Sequence, residues 1–179
     1  MIQGLPRKDV PMEIERKFTV TKLPDDLESY PCHVIEQAYL NTDPVVRIRR
    51  EDDSYYMTYK GKGLLAREEY NLPLNEVSYY HLREKADGNV ISKRRYVIPI
   101  PKPVFTMTYM SGLKEPIDQI SLCVELDIFE PPFAPLIIAE VEFPDQAMAE
   151  AFQPLDWFSQ DVTNDPAYHN SNLSRREFS

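Results

Sequence analysis

The chain has 179 residues, 42 % of them hydrophobic, and a formal net charge of −9. This is the length of one domain with enough apolar content for a real core, and the charge excludes a protein that coats nucleic acid non-specifically. Two cysteines and three scattered histidines exclude a zinc centre and predict two buried, reduced thiols at Cys32 and Cys123. No apolar stretch reaches membrane-spanning length, and the N-terminus lacks a signal-peptide core. The expectation is a soluble cytoplasmic protein.

Met1–Pro11 is irregular and reads as an N-terminal extension or an expression remnant, with residues 12–179 as a single domain. The first predicted strand, Met12–Val20, contains Glu13-Ile14-Glu15-Arg16-Lys17. Side chains of a strand alternate between faces, so Glu13, Glu15 and Lys17 stand in one row, roughly 6.7 Å apart. Further strands are predicted at His33–Leu40, Val45–Glu51, Tyr55–Lys60, Leu65–Leu72, Val90–Ile100, Ser121–Phe129 and Leu136–Phe143, from β-branched and aromatic content and alternation. Asn41–Pro44, Asp52–Ser54 and Gly61–Gly63 read as turns, which implies hairpins and antiparallel pairing. Helices are expected at Asn75–Ala86, at Asp145–Phe152 and within Pro166–Leu173. Pro101–Ile120 is a long excursion between strands, with room for one extra strand.

The i, i+2 charge pairing of the first strand recurs at Arg47/Arg49, Arg67/Glu69, Lys93/Arg95, Glu125/Asp127 and Glu140/Glu142. Each strand also has an apolar face: Ile14, Val46 and Ile48, Ile98, Leu126 and Ile128, Val141. A solvated outer face normally mixes Thr, Ser, Lys and Glu; here the charged faces are sorted by sign. Like charges 4 Å apart repel by about 1 kcal/mol in water and about 4 at an effective dielectric of 20. Cations among the carboxylates and a polyanion among the guanidinium forks would relieve that repulsion. A metal-bound polyphosphate does both, and a closed barrel of about eight strands has an interior of the right width for a small elongated ligand. The competing reading is a β-sandwich with charged outer faces.

These residues carry a resemblance. E-x-E-x-K at Glu13, Glu15 and Lys17, followed in order by Arg47-Ile48-Arg49, Lys60, Arg67-Glu68-Glu69, Lys93-Arg94-Arg95, Glu125-Leu126-Asp127 and Glu140-Val141-Glu142, resembles the CYTH superfamily, or triphosphate tunnel metalloenzymes, from about Met12 to Leu173. The resemblance implies a mainly β (α+β) fold: a closed eight-stranded antiparallel β-barrel forming a triphosphate tunnel, with a few peripheral helices. It also implies a divalent-metal-dependent hydrolase that removes the terminal phosphate of a triphosphate. The compact form looks most like the bacterial inorganic triphosphatases, with tripolyphosphate as substrate. The alternatives are an adenylate cyclase or a thiamine or nucleoside triphosphatase of the same superfamily, and a non-catalytic polyphosphate-binding module.

On that resemblance, Arg47, Arg49, Lys60, Lys62, Arg67, Lys93 and Arg95 are the expected phosphate-binding set. Glu13, Glu15, Asp127, Glu140 and Glu142 are the expected ligands of Mg²⁺ or Mn²⁺, two ions with substrate bound, and the family pattern favours Asp127 over Glu125. Glu69 and Glu125 support these groups. Lys17, with Glu13 and Glu15, is expected at the reacting centre, as a base if its pKa falls or as an orienting cation if not. The partner is a small polyphosphate; no nucleic acid or membrane partner is expected. His33 and His81 read as surface residues, Tyr39, Tyr56 and Tyr59 as packing residues, and Trp157 as an anchor for the C-terminal segment. That segment is expected to plug one tunnel end, with Arg175 as a candidate late cation in an otherwise frayed tail.

Overall fold

The structure, a computed structural model, describes residues 12–61, 66–112 and 120–178. The N-terminal extension and Lys62 lie outside that range, as does part of the excursion. Among the described residues there are nine strands: β1 (Met12–Val20), β2 (Cys32–Thr42), β3 (Val45–Glu51), β4 (Ser54–Lys60), β5 (Ala66–Leu74), β6 (Asp87–Ile100), β7 (Leu122–Phe129), β8 (Ile137–Glu142) and β9 (Phe158–Asp161). They pair in the order β5-β4-β3-β2-β6-β7-β8-β1-β9, and β5 also pairs with β1. The first eight strands therefore form a ring. Its seam is short: Met12, Glu13 and Ile14 face Glu68, Arg67 and Ala66. Past Ile14 that edge of β1 is taken by β9, with Phe18 opposite Asp161 and Val20 opposite Phe158.

The ring is turned inside out relative to an oily barrel. The apolar parity of β1, β6, β7 and β8 faces outward, where Phe18, Tyr96, Ile98, Val124, Leu126, Ala139 and Val141 pack with Phe143, Met148 and Phe152. The cover is α3 (Gln146–Ala151), started by the Asp145 carboxylate, which accepts from Met148 N–H at 2.8 Å. Phe152 closes this layer, its ring centroid 5.2 Å from that of Phe143 and 6.4 Å from that of Phe18. On the other side α1 (Glu76–Arg83), N-capped by Asn75, lays Tyr79 against Ala38 and Ile48. Each such side chain contributes about 1.5–3 kcal/mol on burial. A core built outside the ring leaves the interior free for charge, which removes the sandwich reading.

The excursion contains α2 (Met107–Gly112), and Phe105 bridges to Phe152; among its described residues there is no extra strand. The four-residue β9 is too short to show alternation and escapes a pattern-based reading. Both cysteines are free, but neither is fully buried: Cys32 is exposed, because it opens β2 at the rim, and Cys123 is half-buried. The C-terminal segment is anchored rather than frayed. A 3₁₀ turn (Pro166–Tyr168) leads into α4 (Asn170–Leu173). Leu173 packs with Tyr39, Ile91, Phe129, Phe133 and Ile138. Asn89 fastens this segment: its N–H donates to Ser174 O at 2.6 Å and its Nδ2 to Arg176 O at 2.8 Å. The neighbouring Gly88 has φ +73°, and a Cβ there would meet Ser174 O at 2.3 Å, so glycine is required.

Candidate active site

Cross-strand register puts the charged rows on one face. Glu15 stands opposite Glu142 and Lys17 opposite Glu140; Glu140 is opposite Glu125, Arg95 opposite Asp127, and Lys60 opposite Glu69. This face encloses a cavity of about 630 Å³, lined by Glu13, Glu15, Lys17, Arg47, Arg49, Glu51, Lys60, Glu69, Arg95, Glu125, Glu140 and Glu142, with Tyr39, Tyr56, Asn71 and His169 among its neutral groups. The lining is graded along the axis. On β8 the series runs from Ile138 to Glu140 to Glu142, on β7 from Phe129 through Asp127 to Glu125, and on β6 from Ile91 through Lys93 to Arg95. The apolar members form the floor under Leu173; the carboxylates crowd the open end.

Most of the charges neutralise one another. Lys17 Nζ lies 2.9 Å from Glu15 and in direct contact with Glu140. Burial would lower the Lys17 pKa, but Glu140 and Glu15 outweigh it and hold it above the ordinary lysine value. These two carboxylates favour the ammonium form of Lys17. Lys60 bridges Glu13 at 2.5 Å and Glu69 at 2.8 Å; burial would raise Glu69, but Lys60 above all holds it down to about 2. Arg95 donates to Asp127 through Nε and Nη2, at 2.7 Å each, to Glu140 at 2.6 Å, and also contacts Glu125.

Two places are not neutralised. Arg47 is buried, yet among the described residues it has no ion-pair partner. Its Nη2 donates only to Thr58 Oγ1, at 3.1 Å, and its Nε has no acceptor. Burial and the Arg49 charge depress its pKa. Arg49 is held by neutral groups, donating to Gln37 Oε1 at 2.9 and 3.2 Å and to Tyr56 OH at 3.2 Å, with Glu51 at 3.7 Å. On the far wall Glu142 has no ion-pair partner among the described residues. Burial, and then Glu13, Glu125, Glu15 and Glu69, push its carboxyl above the usual range. β3 and β8 are four strands apart either way round the ring, so the unpaired Arg47 guanidinium and the unpaired Glu142 carboxylate stand on opposite walls of the tunnel.

The structure thus brings together Glu13, Glu15, Lys17, Arg47, Arg49, Lys60, Glu69, Arg95, Glu125, Glu140 and Glu142. Asp127 and Lys93 lie on the same face but deeper than the cavity lining, fully buried and in contact with each other. Asp127, expected to ligate metal in preference to Glu125, has both oxygens occupied by cations, while Glu125 reaches the cavity. Burial and Arg95 push Lys93 down to about 8. The backbone of Arg67 pairs with Glu13; its side chain and all of Lys62 lie outside the described residues. Arg175 is exposed on the outer surface. Gln37, Tyr56, Thr58, Asn71 and His169 were not anticipated. Tyr56 and Thr58 share the parity of Lys60 on β4 and Asn71 that of Glu69 on β5, and that is the signal that identifies them; Gln37 is placed by its register opposite Arg49.

The carboxylates suit a hard divalent cation, since every donor is oxygen and the crowding at Glu142 is relieved by positive charge. Among the described residues no three such side chains are grouped closely enough to hold an ion by themselves. That matches the habit of Mg²⁺, which takes one or two protein carboxylates and completes its shell with water and substrate phosphate.

A β-ring whose interior carries facing arrays of carboxylate and guanidinium groups defines a tunnel protein built for a polyanion accompanied by cations. The chain belongs to the CYTH family: the CYTH domain pattern matches residues 11–150. It is similar to the inorganic triphosphatase of Nitrosomonas europaea, 36 % identical over 166 residues that cover 90 % of this chain and 96 % of the relative. It is also similar to the inorganic triphosphatase of Acetivibrio thermocellus, 33 % identical over 172 residues, covering 93 % and 95 %. A crystal structure of an inorganic triphosphatase matches with a TM-score of 0.64 at 30 % identity, covering 92 % of this chain and 95 % of the other.

Proposed function

We propose that the protein hydrolyses the terminal phosphate of a triphosphate, inorganic tripolyphosphate first, with two Mg²⁺ or Mn²⁺ ions, and that residues 12–179 act as one tunnel domain in the cytoplasm. The observation that carries this is the pair of unpaired charges on opposite walls, Arg47 on β3 and Glu142 on β8. A buried guanidinium with an orphaned Nε at Arg47 is costly unless an anion arrives. The lining holds seven carboxylates against five cations, so a polyanion needs accompanying positive charge to enter. The named activity of the two relatives supports the same substrate class.

Arg47 and Arg49 receive the phosphate oxygens, assisted by Lys60 and Arg95. Glu13, Glu15, Glu140 and Glu142 hold the divalent cations, with Glu125 at the same rim; Arg67 and Lys62 remain candidates for the phosphate set. When bound, those ions supply charge neutralisation at phosphate and a lowered pKa for coordinated water. Lys17, fixed as an ammonium between Glu15 and Glu140, orients the attacking water and stabilises charge as it develops. Asp127 and Lys93 brace Arg95 from behind. The apolar floor excludes water from the inner end. Phosphoryl transfer asks for positioning and charge neutralisation more than covalent help, and these residues supply both.

The test is phosphate release from tripolyphosphate, ATP, thiamine triphosphate and pyrophosphate, in Mg²⁺ and again in Mn²⁺. Tripolyphosphate should be the best substrate by kcat/KM, with no turnover in chelator. Cyclic AMP from ATP, or tight binding of tripolyphosphate without turnover in every metal, would overturn the assignment.

A further inference from the structure

We propose that Thr163, backed by Asp161, is a positioning residue for Lys17; the inference rests on the role given to Lys17 above. The ladder between β1 and β5 ends at Ile14, and regular pairing with β9 resumes only at Phe18. Lys17 falls in the gap. Its main-chain N–H donates to Thr163 Oγ1 at 3.0 Å, and its carbonyl accepts from Val162 N–H at 2.8 Å. A side-chain hydroxyl thus stands where a neighbouring strand would supply a carbonyl.

That hydroxyl is oriented. A threonine hydroxyl has one hydrogen, and Thr163 gives it to Asp161 Oδ1 at 2.5 Å, which turns a lone pair toward Lys17 N–H. Asp161 Oδ1 also accepts from Thr163 N–H at 3.0 Å, while its Oδ2 accepts from Arg16 Nε at 3.1 Å and Nη2 at 2.5 Å. Arg16 Nη1 donates to the carbonyls of Ala149, at 2.9 Å, and Phe152, at 2.8 Å, at the end of α3. A continuous run of hydrogen bonds therefore ties the outer helix to the backbone of the residue whose ammonium enters the tunnel. Thr163 also accepts, through its carbonyl, from His169 Nε2 at 3.1 Å, so the same residue locates a group at the tunnel floor. Thr163 is 4 % exposed, so water does not readily replace its hydroxyl. Thr163 and Asp161 lie beyond residue 150, where the family match ends.

A misplacement of about 1 Å at a reacting group costs on the order of 100-fold in rate. Thr163→Val keeps the shape and removes the acceptor. We expect it to lower kcat for tripolyphosphate at least about tenfold, with KM nearly unchanged, and Thr163→Ser to restore most of the loss. The decisive readout is a double-mutant cycle with Lys17→Met. A positioning role predicts that Thr163→Val costs nothing further once the ammonium is gone; a structural role predicts the same fold-loss in both backgrounds. If Thr163→Val does not fold, Asp161→Asn takes its place in the same cycle. A full additive loss, or a serine variant as impaired as the valine variant, overturns the proposal. A wild-type protein inert toward tripolyphosphate would instead sink the functional reading.

Discussion

Arg95 grips both oxygens of Asp127, at 2.7 Å each, and Lys93 meets the same carboxylate from the deeper side of the tunnel. Burial would raise the Asp127 pKa, but Arg95 and Lys93 hold it below the usual range. An acid held in this way serves the arrangement of Arg95. Breaking a buried pair by removing one partner costs about 3–5 kcal/mol. Asp127→Asn should therefore lower stability by about that amount in urea unfolding while leaving the Mg²⁺ concentration for half-maximal activity unchanged. A variant of normal stability with a tenfold weaker metal response would make Asp127 a ligand after all.

Glu142 should behave in the opposite way. Its carboxyl is crowded by four others and pushed up, so neutralising it relieves repulsion. Glu142→Gln should leave the metal-free protein as stable as wild type or more so. Its activity should fall by about 100-fold or more, since metal-borne charge stabilisation is worth several kcal/mol. Thermal melts without metal, paired with initial rates across a Mg²⁺ series, read both effects. Full turnover at ordinary Mg²⁺ would remove Glu142 from the metal set.

The eight long strands were legible because alternation is a local property, and β1 and β3 have the bounds that alternation assigns. Which face turns inward is not local. A strand with Ile48 on one side and Arg47 and Arg49 on the other fits a sandwich as well as a tunnel; only the sorting of charges by sign broke the tie. The choice between Glu125 and Asp127 was not legible, because both lie on one face of β7 and only the register with Arg95 separates them. Thr58 and Asn71 were legible in principle by parity, but neutral side chains carry no signal without the ring, and Gln37 is placed only by its register opposite Arg49. β9 and Thr163 act through backbone contacts more than 140 residues from Lys17 in sequence, which no periodicity reports.

Arg47 offers a case in which stability and function oppose each other. It is a buried cation with one neutral hydrogen-bond partner and an orphaned Nε. Arg47→Met should raise the melting temperature of the unliganded protein, since an uncompensated charge is replaced by an apolar chain of similar length. Hydrogen bonds to charged groups are worth about 1.5–3 kcal/mol, so tripolyphosphate should bind roughly 10- to 100-fold more weakly. In thermal shift, ligand at a hundred times Kd stabilises wild type by about 2.7 kcal/mol; at that same concentration the variant should gain only about 0.4–1.4 kcal/mol. A variant that is less stable yet binds normally would place the phosphate elsewhere in the tunnel.

Asp161 gives the acid side of the stability curve. Burial would raise its pKa, but the hydrogen bonds from Thr163 and Arg16 outweigh burial and depress it. A carboxylate depressed in the folded state contributes stability that is fully present above its unfolded value, about 3.9, and is lost as pH falls through the folded value. Asp161→Asn keeps an acceptor toward Thr163 but removes the ionisation. The stability gap between wild type and this variant should be widest near pH 7, constant down to about pH 5, and should narrow below about pH 4. Urea midpoints at half-unit steps from pH 7 to pH 3 measure the gap directly. A gap that stays level across that range would mean that the Arg16–Asp161–Thr163 run draws nothing from the charge on Asp161, and that its hold on Lys17 is steric.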